Sequence, residues 1–190
     1  MTCIVGLKTP TRLYMGADSL FTSGDSAFYN KESKVFGRDG YLIGVTGSLR
    51  VSQILQFHKD SLVSPLGIPQ KDLFGFLCSE FIPLLIETLD KSHYLSSEDG
   101  LRKMDGIILL GTHGRLFTIW QNFQVMEYPE EFSVVGSGQY EAQGSLMTTK
   151  KYDIPPKERI RLAIKAAIHY NATVGGDIVI KSIPVKKERN

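Results

Sequence analysis

The sequence predicts an α+β fold in which helices pack on antiparallel sheets, and three observations carry that prediction. Strand-like and helix-like segments arrive in runs: strands, two helices, strands, one or two helices, and a closing strand. Segregated runs of this kind build α+β layers. The strand-like segments are short, apolar and divided by tight-turn residues, as hairpins require. The helix-like segments carry apolar faces wide enough to cover a sheet. At 190 residues, the chain is expected to form one domain, residues 1–190, with a sizeable core.

The elements follow in order. CIVGL (3–7) is an apolar run, TPTR a turn and LYMGAD (13–18) a second strand, so residues 3–18 read as a hairpin. SKVF and YLIGV flank Gly37-Arg38-Asp39-Gly40, where Asp-Gly marks a two-residue turn. Gly47-Ser48 breaks the strand, and VSQILQF (51–57) opens a helix. QKDLFGFLCSEFIPLLIETLDK (71–92) reads as a long, mostly buried helix kinked at Pro83. Its aromatics Phe74, Phe76 and Phe81 suit a core or a subunit interface. After SSEDGLRK, read as a polar loop, GIILLGTHGRLFTIW forms a hairpin turning on Thr112, His113 and Gly114. FSVVGSG is a strand ending in a glycine-flanked serine. Asp153 and Pro155-Pro156 start the helix ERIRLAIKAAIHY, with Ile160, Ile164, Ala167 and Ile168 on its apolar face. GGDIVIKSI returns as a strand, and KKERN reads as a solvated end.

Composition excludes several classes. A net charge of +2, from 22 basic and 20 acidic side chains, gives no footprint for nucleic acid or an anionic membrane. No apolar run approaches the roughly 20 residues of a bilayer crossing. Thr9, Pro10, Thr11 and Arg12 interrupt any signal-peptide layout, so a cytoplasmic location is expected. Cys3 and Cys78 form no disulfide framework, and His58, His93, His113 and His169 lack ligand spacing. No metal or organic cofactor is expected.

The chemistry sits at the start. Removing Met1 leaves Thr2 with a hydroxyl and a free α-amine on one residue. A threonine hydroxyl is a poor nucleophile until a base takes its proton, and an α-amine, with a reference pKa of about 8, is such a base. A nearby ammonium favours the neutral amine, and a carboxylate holds that ammonium in place. Asp18 closes the second strand and Lys34 lies on the third, while amides around Gly47 suit an oxyanion site. Each residue also has an ordinary use. Small residues follow Met, Asp18-Ser19 suits a turn, and Lys34 suits a sheet edge. Lys31 is the second available cation but lies nearer the preceding loop. The GSG at 136–138 lacks the spacing of a phosphate cradle. Ser137 suits either a proton network at Thr2 or a helix N-cap. Cys3 alternates to the other strand face and is read as packing.

The register of these motifs decides between the readings. TCIVGL, GADS, KESKVF and the VTGS turn resemble the N-terminal half of proteasome β subunits, and equally the bacterial proteasome-like peptidase that partners an ATP-driven unfoldase. Counted from Thr2, Asp18 and Lys34 fall where that family places its aspartate and lysine. Gly47 matches its oxyanion glycine after a small deletion in the preceding hairpin. VVGSGQYEAQG resembles its GSG segment before a helix, with Ser137 as the matching serine, and VGGDIVIKSI resembles its last core strand. The resemblance spans nearly the whole chain. It implies a four-layer αββα sandwich, the N-terminal-nucleophile hydrolase fold, with a catalytic set of Thr2, Asp18, Lys34, Gly47 and Ser137. It further implies a homo-oligomeric ring, a peptide or unfolded-protein substrate, and an ATP-dependent unfoldase as partner. With only Met1 written ahead of Thr2, the bacterial branch is the expected fit.

HYNATVGG departs from the family pattern. Asn171 and Val174 stand where the full accessory set carries an aspartate and a serine, although Thr173 is adjacent. Asn171 can hydrogen-bond but carries no charge, and weaker support around Thr2 is therefore expected. That departure keeps a catalytically silent ring subunit in view, beside a small-molecule amidase on the same fold.

Overall fold

The computed structural model describes residues 2–24 and 26–185. The chain opens with β1 (Cys3–Lys8) and β2 (Arg12–Ala17), then a short hairpin of β3 (Leu20–Ser23) and β4 (Ser26–Tyr29). β5 (Val35–Arg38) and β6 (Tyr41–Val45) lead into α1 (Leu49–Phe57). A long helical segment follows: a 3-10 turn (Gln70–Asp72), α2 (Leu73–Phe76), a π turn (Leu77–Phe81) and α3 (Ile82–Lys91). The hairpins β7 (Ser96–Glu98) with β8 (Leu101–Lys103) and β9 (Ile108–Thr112) with β10 (Arg115–Ile119) come next. The chain closes through β11 (Val125–Glu127), β12 (Phe132–Gly136), α4 (Gln139–Thr149), α5 (Pro156–Tyr170) and β13 (Val179–Pro184).

Two antiparallel sheets dominate, a four-stranded one ordered β12-β1-β2-β13 and a five-stranded one ordered β11-β10-β9-β6-β5. Side-chain alternation along each strand feeds three cores. From β1, Ile4 points between the sheets to meet Leu42 and Leu109, while Cys3, Val5 and Leu7 face Leu146, Ile160 and Ile164 of α4 and α5. From β6, Leu42 points between the sheets, and Tyr41, Ile43 and Val45 face α1 and the long helical segment through Leu55, Leu77 and Phe81. Strands buried on both faces need apolar residues at every position, which is why CIVGL and YLIGV read as continuous runs. The sheets also approach closely at glycines. A Cβ on Gly44 would lie 2.7 Å from Ile4 Cγ2, and one on Gly6 would lie 3.0 Å from Leu109 Cδ2.

Several expectations change in detail. SSEDGLRK is the β7–β8 hairpin, not a loop, and it turns on Asp99 (φ 51°) and Gly100 (φ 77°). That is the same Asp-Gly device as at Asp39-Gly40, obscured by exposed polar flanks. The kink expected at Pro83 takes the form of the π turn just before it, leaving Pro83 in the first turn of α3, where its missing N–H breaks no helical bond. Of the aromatic stripe, Phe81 is core, Phe76 is partly buried and Phe74 is exposed. KKERN lies outside the described residues. No described helix is long and apolar enough to cross a membrane.

Because the sheets meet tightly at Gly44, Gly44→Val is expected to destabilise the protein by about 1–3 kcal/mol through overpacking. Urea unfolding against wild type measures this.

Candidate active site

Asp18 follows β2 directly, so the first hairpin returns it beside the start of β1. It is buried, and all its contacts are polar. Oδ1 accepts the Cys3 N–H at 2.9 Å and the Lys34 ammonium at 3.0 Å, and Oδ2 accepts the Gly175 N–H at 3.1 Å. Lys34 sits just before β5 with 2% of its side chain exposed. Its ammonium also donates to the Leu20 carbonyl at 2.5 Å and lies 4.7 Å from the centre of the Phe21 ring. Burial pulls the Lys34 pKa below the ordinary lysine value, while the Asp18 charge and hydrogen bond act in the opposite direction. Lys31 is exposed, so Lys34 is the cation that the fold places inside.

The loop after β6 is held by its backbone. Thr46 N–H donates to Ile107 O at 3.0 Å and Ser48 N–H to Asp105 O at 3.1 Å. Among the described residues, the Gly47 N–H between them has no protein acceptor. Gly47 has φ +73° and packs on Gly106, which has φ +134°. A Cβ on Gly106 would lie 2.1 Å from the Thr46 carbonyl oxygen, so both positions are closed to larger residues. Thr46 Oγ1 completes the clamp by accepting the Ile107 N–H at 3.0 Å.

Thr2 is buried, and its backbone lies against the end of β12. Its N–H donates to Ser137 Oγ at 3.2 Å, and its carbonyl accepts the Gly138 N–H at 3.3 Å. The two glycines of GSG make room for this contact. Gly136 has φ +106°, and a Cβ there would lie 2.1 Å from Thr2 O. A Cβ on Gly138 would lie 2.7 Å from the Ala167 Cβ of α5. The N-cap of α4 is Gly138, so Ser137 faces Thr2 instead of capping the helix. Asn171, at the end of α5, donates from Nδ2 to Ser137 O at 2.9 Å. Its Oδ1 accepts from Thr173 N at 3.1 Å and from Thr173 Oγ1 at 2.6 Å. Thr173 Oγ1 lies 2.9 Å from Ser137 Oγ. The weak support expected around Thr2 is thereby corrected. Val174 is buried in the helix-side core, and the neighbouring Thr173 supplies the hydroxyl.

The structure thus brings Thr2, Lys34 and Gly47 onto one small cleft, walled by Phe21, Val45 and Leu49. Asp18 stands behind Lys34, and Ser137 stands behind Thr2. Sequence reasoning missed the contributions of Gly106, Thr173 and Gly175. Asp105-Gly106 before a strand was a readable turn signal, whereas Gly175 acts only through a backbone N–H. Cys3, next to Thr2, points into the helix-side core, as anticipated. Burial first, then the charges of Asp18 and Glu141, push its thiol up to about 12.

The arrangement defines a protein class by fold. No family model matches the sequence, and no curated protein matches it by sequence comparison. Solved structures do match, and they carry the N-terminal-nucleophile hydrolase fold of proteasome-type peptidases. Thiobacillus denitrificans BPH in complex with epoxomicin aligns with a TM-score of 0.80 at 18% identity, covering 97% of this chain and 100% of that one. Eukaryotic HslV from Trypanosoma brucei aligns at 0.69 and 12% identity, covering 96% and 99%. Anbu, an ancestral β-subunit from Yersinia bercovieri, aligns at 0.65 and 15% identity, covering 96% and 81%. The resemblance read from the motifs is thus borne out at the level of fold.

Asp18→Asn is expected to cost about 3–5 kcal/mol in urea unfolding, because it leaves a buried ammonium without its carboxylate. Lys34→Met is expected to cost less, since Asp18 keeps two backbone N–H donors. Iodoacetamide at neutral pH is expected to alkylate exposed Cys78 and spare Cys3 until the protein is denatured, as peptide mass mapping will show.

Proposed function

We propose that the chain is a threonine-type endopeptidase whose nucleophile is Thr2 after removal of Met1. The observation that carries this reading is the shared cleft of Thr2, Lys34 and Gly47, with Asp18 holding Lys34 from behind. Thr2 Oγ attacks the scissile carbonyl carbon, and its proton passes to the Thr2 α-amine, directly or through a water. The carbonyl π electrons move to oxygen, and the Gly47 N–H stabilises that oxyanion, a contribution of about 3 kcal/mol per donor in comparable sites. Collapse breaks the C–N bond, and the leaving amine takes the proton from the ammonium. An ester on Thr2 remains. Water attacks the ester, the amine takes and then returns a proton, and the carboxylic acid product leaves. Lys34 opposes protonation of the amine by charge, and Asp18 fixes Lys34. Every acid and base in these steps belongs to the chain itself.

Three cores alternating between helices and sheets support the four-layer αββα reading. Exposed Phe57, Tyr140 and Tyr170 are surface aromatics of the kind that subunit contacts cover, and they support assembly into a homo-oligomeric ring. An ATP-dependent unfoldase as partner and a cytoplasmic setting complete the proposal. Two unpaired cysteines agree with a reducing compartment.

Turnover of a blocked fluorogenic peptide by Met1-free protein, combined with light scattering, tests the reading. Thr2→Ala is expected to abolish hydrolysis without changing particle mass, and Lys34→Ala to lower kcat by about 100- to 10,000-fold. Unchanged turnover in Thr2→Ala overturns the assignment. A dimer that cleaves only small amides makes the chain an amidase, and a ring with no turnover makes it a silent subunit.

A further inference from the structure

The hydroxyls beside Thr2 form a chain whose direction follows from donor and acceptor chemistry alone. The Thr173 N–H can only donate and the Ser137 carbonyl can only accept, so Asn171 must present Oδ1 to the first at 3.1 Å and Nδ2 to the second at 2.9 Å. Oδ1 also lies 2.6 Å from Thr173 Oγ1, whose single proton is committed to it. Thr173 Oγ1 then offers only lone pairs to Ser137 Oγ, 2.9 Å away. The Ser137 proton goes there in preference to Thr2 O at 3.3 Å. Ser137 Oγ is left as an acceptor facing Thr2 N at 3.2 Å. The order runs from Thr2 N–H to Ser137, Thr173 and Asn171, and it ends in a neutral amide.

We propose that Asn171 and Thr173 are positioning residues that hold the Thr2 α-amine through this one-way chain while keeping it weakly basic. The inference rests on Thr2 acting as proposed above. An aspartate at 171 would accept from Thr173 equally well, but its charge would favour the ammonium form and take the base out of service at low pH. The amide orients without adding charge. It also anchors Ser137 O through Nδ2, a bond that a carboxylate cannot donate. The other charged groups at this terminus are Lys34 and Asp18, which pair with each other, and Glu141 on α4, whose charge reaches Cys3. The Cys3 thiol is neutral at working pH. With Lys34 and Asp18 balanced, residue 171 decides whether a further negative charge faces the amine.

The test uses full-length, Met1-free protein and its Asn171→Asp, Thr173→Ser and Thr173→Val variants. Trace acylation of the Thr2 α-amine across pH, read by mass spectrometry of the N-terminal peptide, gives the amine midpoint whether or not peptides are cleaved. Peptide hydrolysis across pH gives the acid limb of kcat/KM. In Asn171→Asp both are expected to move up by about one pH unit, a tenfold loss of kcat/KM on the acid side. Thr173→Ser keeps the chain and the wild-type midpoint. Thr173→Val frees the Ser137 proton to face the amine lone pair, lowering kcat at every pH. An unmoved midpoint in folded Asn171→Asp overturns the inference while turnover upholds the peptidase. If Asn171→Asp fails to fold, wild-type kcat in Thr173→Val overturns the inference instead. A shifted midpoint without turnover upholds the chain and refutes the peptidase.

Discussion

The buried Asp18–Lys34 ion pair organises this molecule's functional end. Two charges taken out of water carry a desolvation cost of several kcal/mol each, and their attraction offsets it only when the remaining polar valences are filled. Here they are. Asp18 accepts three donors, and Lys34 adds the Leu20 carbonyl and the face of Phe21. Four segments of chain are tied by that arrangement: the start of β1, the end of β2, the residues before β5 and the turn before β13. The Cys3 N–H bound by Asp18 is the amide next to Thr2. The carboxylate that charges the lysine therefore also sets the position of the threonine.

Antiparallel topology explains why these residues meet. Thr2 precedes β1, Asp18 follows β2 and Ser137 follows β12, and the registers pair Ile4 with Ala17 and Cys3 with Gly136. All three fall at one end of the four-stranded sheet. Lys34 precedes β5 and Gly47 follows β6, whose register pairs Val35 with Gly44, at the corresponding end of the other sheet. The tight approach of the two sheets then closes a cleft between those ends. Positive-φ glycines at 47, 106 and 136 let backbone meet backbone there, so the site is shaped by main chain as much as by side chains.

The parts legible in the sequence were those with a local signature. Hairpins announced themselves through Asp39-Gly40 and His113-Gly114, and helices through the apolar face of α5. The β7–β8 hairpin carried the same Asp-Gly signal, but its polar flanks gave no buried face to reinforce it. Thr2, Asp18 and Lys34 were legible only as a register, because each residue type has commoner uses alone. Thr173 was not legible as a site residue. Its role depends on where the chain turns after α5, which shifts the useful hydroxyl to the position before Val174. Gly106 acts by lacking a side chain, and only the packed loop shows what a Cβ there would strike.

The central claim is that the Thr2 hydroxyl and the Thr2 amine work as one unit beside Lys34. A peptidyl α′,β′-epoxyketone needs both groups, since hydroxyl addition to the ketone is followed by amine opening of the epoxide. Met1-free protein treated with such a reagent is predicted to gain one reagent mass on the peptide beginning at Thr2, and on no other. Modification at Cys78, or an unmodified N-terminal peptide, would contradict the account.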